Sequence, residues 1–197
     1  MRVPLASVCV FAGSNPGSDP AFAEAAEQLG RAIALRGINL VFGGGKVGLM
    51  GVVADAALDA GGTVIGVIPK DLVEREIAHS GLTELHVVES MHERKLVMAD
   101  ASQAFIALPG GVGTFEELFE AFTWTQLGIH QKPVGVLDIN GFYRPLVSFL
   151  DSVVHHGFMK AEHRSQFLTA ADPQDLLEQF DAWVPSTVSK WLGPEDR

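Results

Sequence analysis

The stretch ASVCVFAGSNPG, residues 6–17, decides the fold. Seven small or apolar residues run without a charge and end at a loop of glycine, serine, asparagine and proline. A short apolar run of this kind is typical of a buried strand in a parallel sheet. Residues 20–36 then carry apolar positions at helical spacing, and Gly37 ends that pattern. The chain therefore opens with a strand, a glycine loop and a helix.

The same unit repeats along the chain. Apolar runs predict further strands over 38–42, 63–68, 85–88, 104–108 and 134–137, and helical patterns predict helices over 48–60, 90–101, 114–127, 142–155 and 173–183. The stretch 70–83 fits neither pattern. Such alternation predicts an α/β fold, namely a three-layer, doubly wound parallel sheet of the Rossmann-like nucleotide-binding type. We expect one domain over 1–184 and a loosely ordered C-terminal tail over 185–197.

Composition limits the partners and the location. Lys and Arg total 14 against 24 Asp and Glu, and this net charge of −10 argues against nucleic acid as the main partner. No apolar stretch reaches the roughly 18 residues that a membrane span needs. Cys9 is the single cysteine, so no intrachain disulfide forms and we expect a cytoplasmic protein. No histidines have metal-ligand spacing, so no metal is expected.

Glycine-rich turns follow the first, second and fifth predicted strands, at the sheet edge where such folds bind ligands. The second turn, Gly43–Gly48, matches the dinucleotide pattern G-x-G-x-x-G. The acid that this pattern needs after the next strand is missing, because that strand ends in Ile68-Pro69-Lys70. A Walker A loop is excluded because Val47 follows Lys46. A tight turn with close helix packing is the alternative.

The third turn, PGGVGTFEE over 109–117, joins the fifth strand to a helix. Its glycines let the main chain approach a ligand, and the N–H groups of a helix start bind an anion such as phosphate. Thr114 and Glu117 also have the spacing of a capping box, in which the glutamate satisfies a main-chain donor. Glu116 and Glu120 lie four residues apart, as on a solvated helix face.

A second capping-box pattern, Ser90 with Glu93, precedes the helix over 90–101. Arg94 and Lys95 follow in the first turn, where the helix dipole disfavours a cation by up to about 1 kcal/mol. They are either a solvated surface pair or a pair of which one points at an anion, either a ligand phosphate or a buried carboxylate. Because both helix starts lie at one sheet edge, Arg94 is expected near the PGGVGT loop.

These motifs together closely resemble the LOG, or Lonely Guy, family of cytokinin riboside 5′-monophosphate phosphoribohydrolases, whose signature is PGGxGTxxE. The resemblance rests on residues 109–133 (PGGVGTFEELFEAFTWTQLGIHQKP) and on SMHERK at 90–95. It extends to FAGSNPGSDP (11–20), VFGGGKVGLMG (41–51) and GVIPKDLVEREI (66–77), and so covers most of residues 6–160.

The resemblance implies hydrolysis of the N-glycosidic bond of a nucleoside 5′-monophosphate to a free base and ribose 5-phosphate, with no cofactor. It implies Arg94 and Glu117 as the catalytic residues. The substrate-binding residues expected with it are Ser14, Gly44, Gly45, Glu76, Lys95, Gly110, Gly111, Val112, Gly113, Thr114, Phe115, Glu116 and Thr123. Some members carry the label lysine decarboxylase, but this sequence shows no signature of a pyridoxal phosphate lysine.

Cleavage of the N-glycosidic bond is favoured by a negatively charged group, such as a carboxylate, beside the sugar. Cleavage of a ribosyl C–N bond builds positive charge on the sugar, which Glu117 would stabilise while it orients or deprotonates a water. Arg94 would hold Glu117 ionised, contact the phosphate or steady the leaving base, and the sequence does not choose among these roles. A phosphate at the helix start would favour nucleotide over nucleoside.

The helix after the motif is apolar almost all round, through Phe119, Phe122, Trp124 and Leu127. It is either buried against the sheet or part of a homodimer interface, and the resemblance supports the dimer, with active sites near the subunit boundary. Three other functions stay open: an AMP nucleosidase of nucleotide salvage, a non-catalytic nucleotide-binding or carrier protein, and a dinucleotide oxidoreductase.

Overall fold

The computed structural model describes residues 4–73 and 78–188. Within these ranges the strands are β1 (Ser7–Phe11), β2 (Asn39–Phe42), β3 (Val64–Pro69), β4 (Glu84–Val88), β5 (Phe105–Ala107), β6 (Val134–Leu137) and β7 (Phe167–Ala170). The α-helices are α1 (Pro20–Leu35), α2 (Gly48–Asp59), α3 (Met91–Asp100), α4 (Val112–Leu127), α5 (Arg144–His155), α6 (Ala161–Arg164) and α7 (Pro173–Ala182). Two short 3₁₀ helices cover Lys70–Leu72 and Ile139–Gly141.

Seven strands form one parallel sheet in the order β4-β3-β2-β1-β5-β6-β7. One core lies between the sheet and α1, α2 and α7, and a second core lies between the other face and α3, α4 and α5. The predicted α/β, three-layer, doubly wound architecture is confirmed. The order reverses at β1, whose neighbours are β2 and β5, so a ligand crevice is expected between the loops that follow β1 and β5.

The helix starts follow from local chemistry. Asp19 caps α1 by accepting a hydrogen bond from the N–H of Ala21, and Pro20 occupies the first helical position. Asp172 caps α7 in the same way before Pro173. At the end of α1 the chain turns through Gly37, whose φ of +69° is the left-handed conformation that glycine adopts without strain.

The sequence analysis was wrong about three elements. It missed β7, because Phe167–Ala170 is only four residues long and half-buried at its two central positions. It missed the single-turn helix α6. It began α4 at Thr114, whereas the helix begins at Val112. The ambiguous stretch 70–83 starts as a 3₁₀ turn, and residues 74–77 lie outside the described residues.

In the described ranges, no helix combines the length and the apolar character that crossing a membrane requires. Cys9 is buried and free, as its apolar surroundings in the sequence predict.

Candidate active site

Three glycine-rich loops meet where the strand order reverses. The N–H of Gly13, after β1, donates to the carbonyl of Pro109 at 3.1 Å, after β5. The carbonyl of Gly13 accepts from the N–H of Leu49, in the first turn of α2, at 3.0 Å. The sequence-based prediction that these turns lie together is therefore confirmed.

Close main-chain packing explains two of the glycines. A Cβ at Gly48 would lie 2.3 Å from the carbonyl carbon of Ser14, and the φ of Gly48 is +59°. A Cβ at Gly110 would lie 2.1 Å from Oγ1 of Thr114. Real Cβ atoms do not approach other atoms so closely, so glycine is required at both positions. This supports the tight-turn interpretation of the Gly43–Gly48 loop.

A cleft of about 270 Å³ opens between these loops and the start of α3. It brings together eight of the residues expected from the sequence: Ser14, Arg94, Gly111, Val112, Gly113, Thr114, Glu116 and Glu117. A neighbouring, more apolar compartment of similar size is lined by Gly110, Phe22 and Phe142 and shares Gly13, Ser14 and Gly111 with the cleft.

Sequence reasoning missed the apolar wall of the cleft, which Met50, Leu72 and Met91 provide. Each of these residues lies at or just beyond the start of the helical segment that follows a strand end, on the ligand-binding edge of the sheet. Their position directly after a strand end was the sequence signal that could have identified them as cleft residues. These side chains offer a surface against which a flat, apolar group such as a nucleobase packs.

The start of α4 has no side-chain cap among the described residues, and its N-cap is Gly111. The capping box predicted from Thr114 and Glu117 is therefore wrong, because the helix begins two residues earlier than expected. Glu117 lies in the second turn and lines the cleft. The N–H groups of the first turn remain directed at a ligand, and the helix dipole favours negative charge there.

Arg94 is a fixed cation in the wall of the cleft. Its side chain is 4% exposed, its Nε donates to the carbonyl of Val67 at 3.0 Å, and its Nη2 donates to the carbonyl of Gly43 at 2.7 Å. The surface-pair interpretation of Arg94 and Lys95 is wrong, since both are buried. The loop that resembled a dinucleotide site thus supplies an acceptor for the guanidinium.

Lys95 lies against two carboxylates of α4. Its Nζ donates to Glu116 at 2.5 Å and to Glu120 at 3.0 Å. Burial lowers the pKa of Lys95, but its hydrogen bonds to both glutamates, together with their negative charges, outweigh this effect and hold that pKa above its ordinary value. Lys95 points at two carboxylates, as expected of one cation of the pair, but these carboxylates are not buried: the side chains of Glu116 and Glu120 are 53% and 26% exposed. Both glutamates pair with a buried cation and so are not simply a solvated face.

The capping box at α3 is confirmed with one change. Ser90 accepts a hydrogen bond from the N–H of Glu93 at 3.2 Å, while the Glu93 carboxylate accepts from the N–H of Glu89 at 2.8 Å. The cap fixes the first turn of α3, and with it the position of Arg94.

Other expected substrate-binding residues, among those that the structure describes, do not line the cleft. Phe115 packs on Phe142 and Tyr143, with ring centroids at 6.4 and 6.0 Å. Thr123 lines an open groove along α4. Gly44 and Gly45 are buried, and Gly44 accepts from the N–H of His79 at 2.9 Å. Glu76 lies outside the described residues.

Burial and nearby charges both affect the pKa of the Cys9 thiol. Burial raises the pKa of Cys9 well above its ordinary value; the negative charge of Glu117 raises it further, and the positive charge of Arg94 lowers it.

The described residues provide neither a cluster of metal ligands nor a lysine in the cleft for pyridoxal phosphate. Over residues 4–73 and 78–188, no three His, Cys, Asp or Glu side chains are grouped so as to hold a metal ion. None of the described residues that line the cleft is a lysine, the side chain that a pyridoxal phosphate Schiff base requires.

Solved structures share the fold. A molybdenum cofactor binding protein from the phototrophic bacterium Rippkaea orientalis is 26% identical, with a TM-score of 0.68, and the match covers 92% of this chain and 98% of that protein. The molybdenum cofactor carrier protein of Chlamydomonas reinhardtii is 25% identical, with a TM-score of 0.68 over 93% of this chain and 100% of the other. Both proteins are named for binding a ligand.

Curated relatives are more similar in sequence. The rice (Oryza sativa subsp. japonica) probable cytokinin riboside 5′-monophosphate phosphoribohydrolase LOGL1 is 50% identical over 179 residues, covering 91% of this chain and 80% of the rice protein. The cytokinin riboside 5′-monophosphate phosphoribohydrolase of Rhodococcoides fascians is 52% identical over 172 residues, or 87% of each chain. The Arabidopsis thaliana enzyme LOG4 is 47% identical over 90% of this chain and 83% of its own length.

The family model described as possible lysine decarboxylase matches residues 50–180. That description sits poorly with a cleft in which no described lining residue is a lysine, whereas the relatives' names agree with the PGGVGTFEE loop and the cleft that it builds. On the identity and coverage of these matches, the chain belongs to the LOG family of cytokinin riboside 5′-monophosphate phosphoribohydrolases.

Proposed function

We propose that this protein hydrolyses the N-glycosidic bond of cytokinin-type nucleoside 5′-monophosphates to a free base and ribose 5-phosphate. One observation carries the proposal: a carboxylate, Glu117, and a fixed cation, Arg94, line the same cleft as the uncapped start of a 16-residue helix. The names of the relatives at 47–52% identity support the same reaction.

The start of α4 receives the 5′-phosphate. The N–H groups of Val112, Gly113 and Thr114 belong to the first turn, and no described side chain caps it. A phosphate there is bound by main-chain donors and by the helix dipole. This anchor fixes the ribose in the cleft, so the nucleotide is expected to react much faster than the nucleoside.

Glu117 acts on the sugar. Hydrolysis breaks the bond between C1′ and the base nitrogen and forms a bond between C1′ and a water oxygen. Positive charge grows on the ribose ring before the water bond is complete, and a carboxylate beside the ring stabilises that charge. Glu117 accepts one proton of the attacking water, the remaining hydroxyl stays on C1′ of ribose 5-phosphate, and the proton held by Glu117 is then passed on, through solvent, to the departing base nitrogen. Glu117 lies in the second turn of α4 and does not cap the start of that helix.

Arg94 supplies a fixed positive charge. Two main-chain carbonyls hold its guanidinium, so it keeps its position in the wall of the cleft whether or not a ligand is present. A cation fixed in this wall favours the ionised form of a carboxylate in the same cleft and attracts an anionic substrate. The apolar side chains of Met50, Leu72 and Met91 form the surface for the base.

The test is release of free base. Wild-type protein is incubated with AMP, with N6-isopentenyladenosine 5′-monophosphate and with both dephosphorylated nucleosides, and the base is quantified by chromatography. We expect release from the monophosphates and a loss of at least about 10³-fold in Glu117→Gln. Glu24→Gln, on the exposed face of α1, is the matched control and should keep the wild-type rate. No release from either monophosphate by folded protein would overturn the proposal.

The same panel separates two related functions. AMP nucleosidase activity in nucleotide salvage predicts that AMP is cleaved as well as the prenylated substrate. A non-catalytic carrier, which the likeness to the two cofactor-binding proteins favours, predicts binding without turnover. The acid and the cation that share the cleft favour turnover.

We further propose that the protein is a homodimer with its active sites near the interface. The edge strand β4 and the neighbouring helices expose apolar side chains: Leu85 is 40% exposed, Val87 49%, Leu96 53% and Val112 85%. Val112 also lines the cleft, so a second copy seated here would lie beside the substrate. Light scattering should give a dimer mass for the wild type and a monomer mass for Leu96→Glu; a wild-type monomer would contradict the proposal.

A cytoplasmic location is also proposed. Its support is the free, buried Cys9, since a reduced thiol is the usual state in a reducing compartment. Fluorescent tagging followed by fractionation tests it, and recovery in an extracellular fraction would contradict it.

A further inference from the structure

A second cavity lies at the far end of α4 from the cleft. Its volume is about 140 Å³. One wall is the last turn of α4 with His130 beyond it, another is His163 of α6, and a third is the segment 183–188 that follows α7. We call this space the α4 C-terminal cavity. None of its lining residues belongs to the cleft described above.

The lining holds polar atoms without partners. Nε2 of His163 and Nε1 of Trp183 are buried and make no hydrogen bond, and neither ring nitrogen of His130 is bonded to another described residue. His163 is 5% exposed, so bulk water does not reach its ring freely. Buried polar groups in native proteins are almost always satisfied, so three unsatisfied side chains around one cavity call for an occupant.

The lining is neutral. The described residues around the cavity include no Asp, Glu, Lys or Arg. Burial lowers the pKa of His130 to about 4, with a further lowering from the charge of Lys132, so this imidazole is uncharged at neutral pH. The neutral imidazole of His130 offers one donor and one acceptor, the imidazole of His163 offers at least one donor, and the indole of Trp183 offers a donor. A metal ion does not fit, because no third His, Cys, Asp or Glu joins the two imidazoles among the described residues.

Aromatic rings stand beside these nitrogens. His130 stacks on Phe105 with ring centroids 5.2 Å apart and meets the edge of Trp124 at 6.2 Å. The cavity is smaller than the roughly 300–1,000 Å³ that drug-sized ligands occupy. Its size, neutrality and mixture of donors and acceptors select a small, flat molecule with polar edges.

One wall carries its own internal bonds. The N–H of Ser186 donates to Oε1 of Gln166 at 3.2 Å, and Oγ of Ser186 accepts from the N–H of Val188 at 3.1 Å. The segment is therefore held against the rest of the cavity and presents Trp183 to it. The ring nitrogens of Trp183, His130 and His163 are therefore among the groups that can meet a ligand in this cavity.

We propose that the α4 C-terminal cavity is a second small-molecule site, which binds an uncharged nitrogen heterocycle of the size of a free purine base. The donor of Trp183 and the imidazoles of His130 and His163 would pair with the ring nitrogens and the exocyclic amine of such a base. This proposal depends only on the residues that line the cavity and not on the proposed function. The class of ligand includes the base that the proposed reaction releases.

The test uses the full-length protein and adenine as the probe. Crystals soaked with adenine, together with titration calorimetry, should show adenine in this cavity in addition to any adenine in the cleft. Trp183→Phe keeps the ring and removes the donor, and His163→Gln removes an imidazole. Each should weaken binding at the cavity by about tenfold, the factor expected for loss of one buried hydrogen bond.

The matched control is His155→Gln, on the exposed end of α5, which should leave both sites unchanged. Base release from nucleoside monophosphates should remain at the wild-type rate in Trp183→Phe, because this residue is outside the cleft. Only water in the cavity of the soaked crystal, or an unchanged affinity in both variants, overturns the proposal. Occupancy of the cavity without base release would instead overturn the proposed function alone.

Discussion

Replacing Gly43 by alanine should disable the active site while leaving the fold intact. A Cβ at this position would lie 2.0 Å from Nη2 of Arg94 and 3.0 Å from its Cζ. An ordinary contact needs about 3.5 Å, so the guanidinium must move by roughly 1.5 Å. The atom in the way is the end of a long side chain, which yields more easily than main chain does. Stability should therefore fall by at most about 1.5–3 kcal/mol, the worth of one hydrogen bond to a charged group.

Activity should fall much further than stability. Misplacement of an active-site group by about 1 Å costs on the order of 10²-fold in rate, or about 2.7 kcal/mol in the activation barrier. We would measure kcat and KM for base release from a nucleoside 5′-monophosphate and the melting temperature of the same sample. The expected result is a drop of roughly 10²-fold in kcat/KM with a folded protein.

A glycine remote from the site provides the matched control. In Gly30→Ala the new Cβ would lie 2.3 Å from the carbonyl oxygen of Val53, where α1 packs on α2. This main-chain clash should lower the melting temperature strongly and leave the turnover of the folded fraction near the wild-type value. Wild-type kcat/KM in Gly43→Ala would refute the argument, because the position of Arg94 would then not matter for the reaction.

Three other predictions concern stability. Tyr143→Phe should destabilise the protein by about 1–3 kcal/mol in urea unfolding, since the buried hydroxyl donates to the carbonyl of Leu108 at 2.7 Å; an unchanged midpoint would contradict this. Burial raises the pKa of Tyr143, so the wild type should lose stability as the pH rises above about 10, where the unfolded chain ionises first, and Tyr143→Phe should lose less. The pKa of His130 is about 4 in the folded protein and about 6.5 in the unfolded chain, so the free energy of unfolding should fall as the pH drops from 6.5 towards 4. A free energy of unfolding that does not change over this pH range, or a pH dependence that His130→Gln leaves unchanged, would count against this. Lys95→Met should lower the melting temperature by leaving two carboxylates without their shared cation, and Lys95→Arg should restore part of it; equal melting temperatures for all three proteins would show that the cluster is unimportant.

The sequence predicted the architecture because the central strands are buried on both faces. Runs such as Val8–Phe11 and Val134–Leu137 are apolar throughout, which is the pattern of parallel strands covered by helices. The strand Phe167–Ala170 was missed because its central residues are only half-buried and its apolar run is short. Because β7 lies at the edge of the sheet, it carries a shorter apolar run, and the strand prediction depended on such runs.

The site was predicted less completely than the fold. The glycine loops were found from local sequence, since turn chemistry is a local property. Arg94 and Glu117 were assigned as catalytic from the resemblance to the LOG family, because local sequence alone made Glu117 a capping residue. The hydrogen-bond partners of Arg94 were not predicted, because they are the main-chain carbonyls of Val67 and Gly43, and every residue carries such a group. Contacts between distant main-chain atoms leave no trace in residue type.

The most direct measurement of the central claim is a crystal structure of the Glu117→Gln variant with AMP bound. Our account predicts the 5′-phosphate within hydrogen-bond distance of the N–H groups of Val112, Gly113 and Thr114, and residue 117 facing C1′ of the ribose. A phosphate bound elsewhere, with residue 117 turned away from C1′, would contradict it.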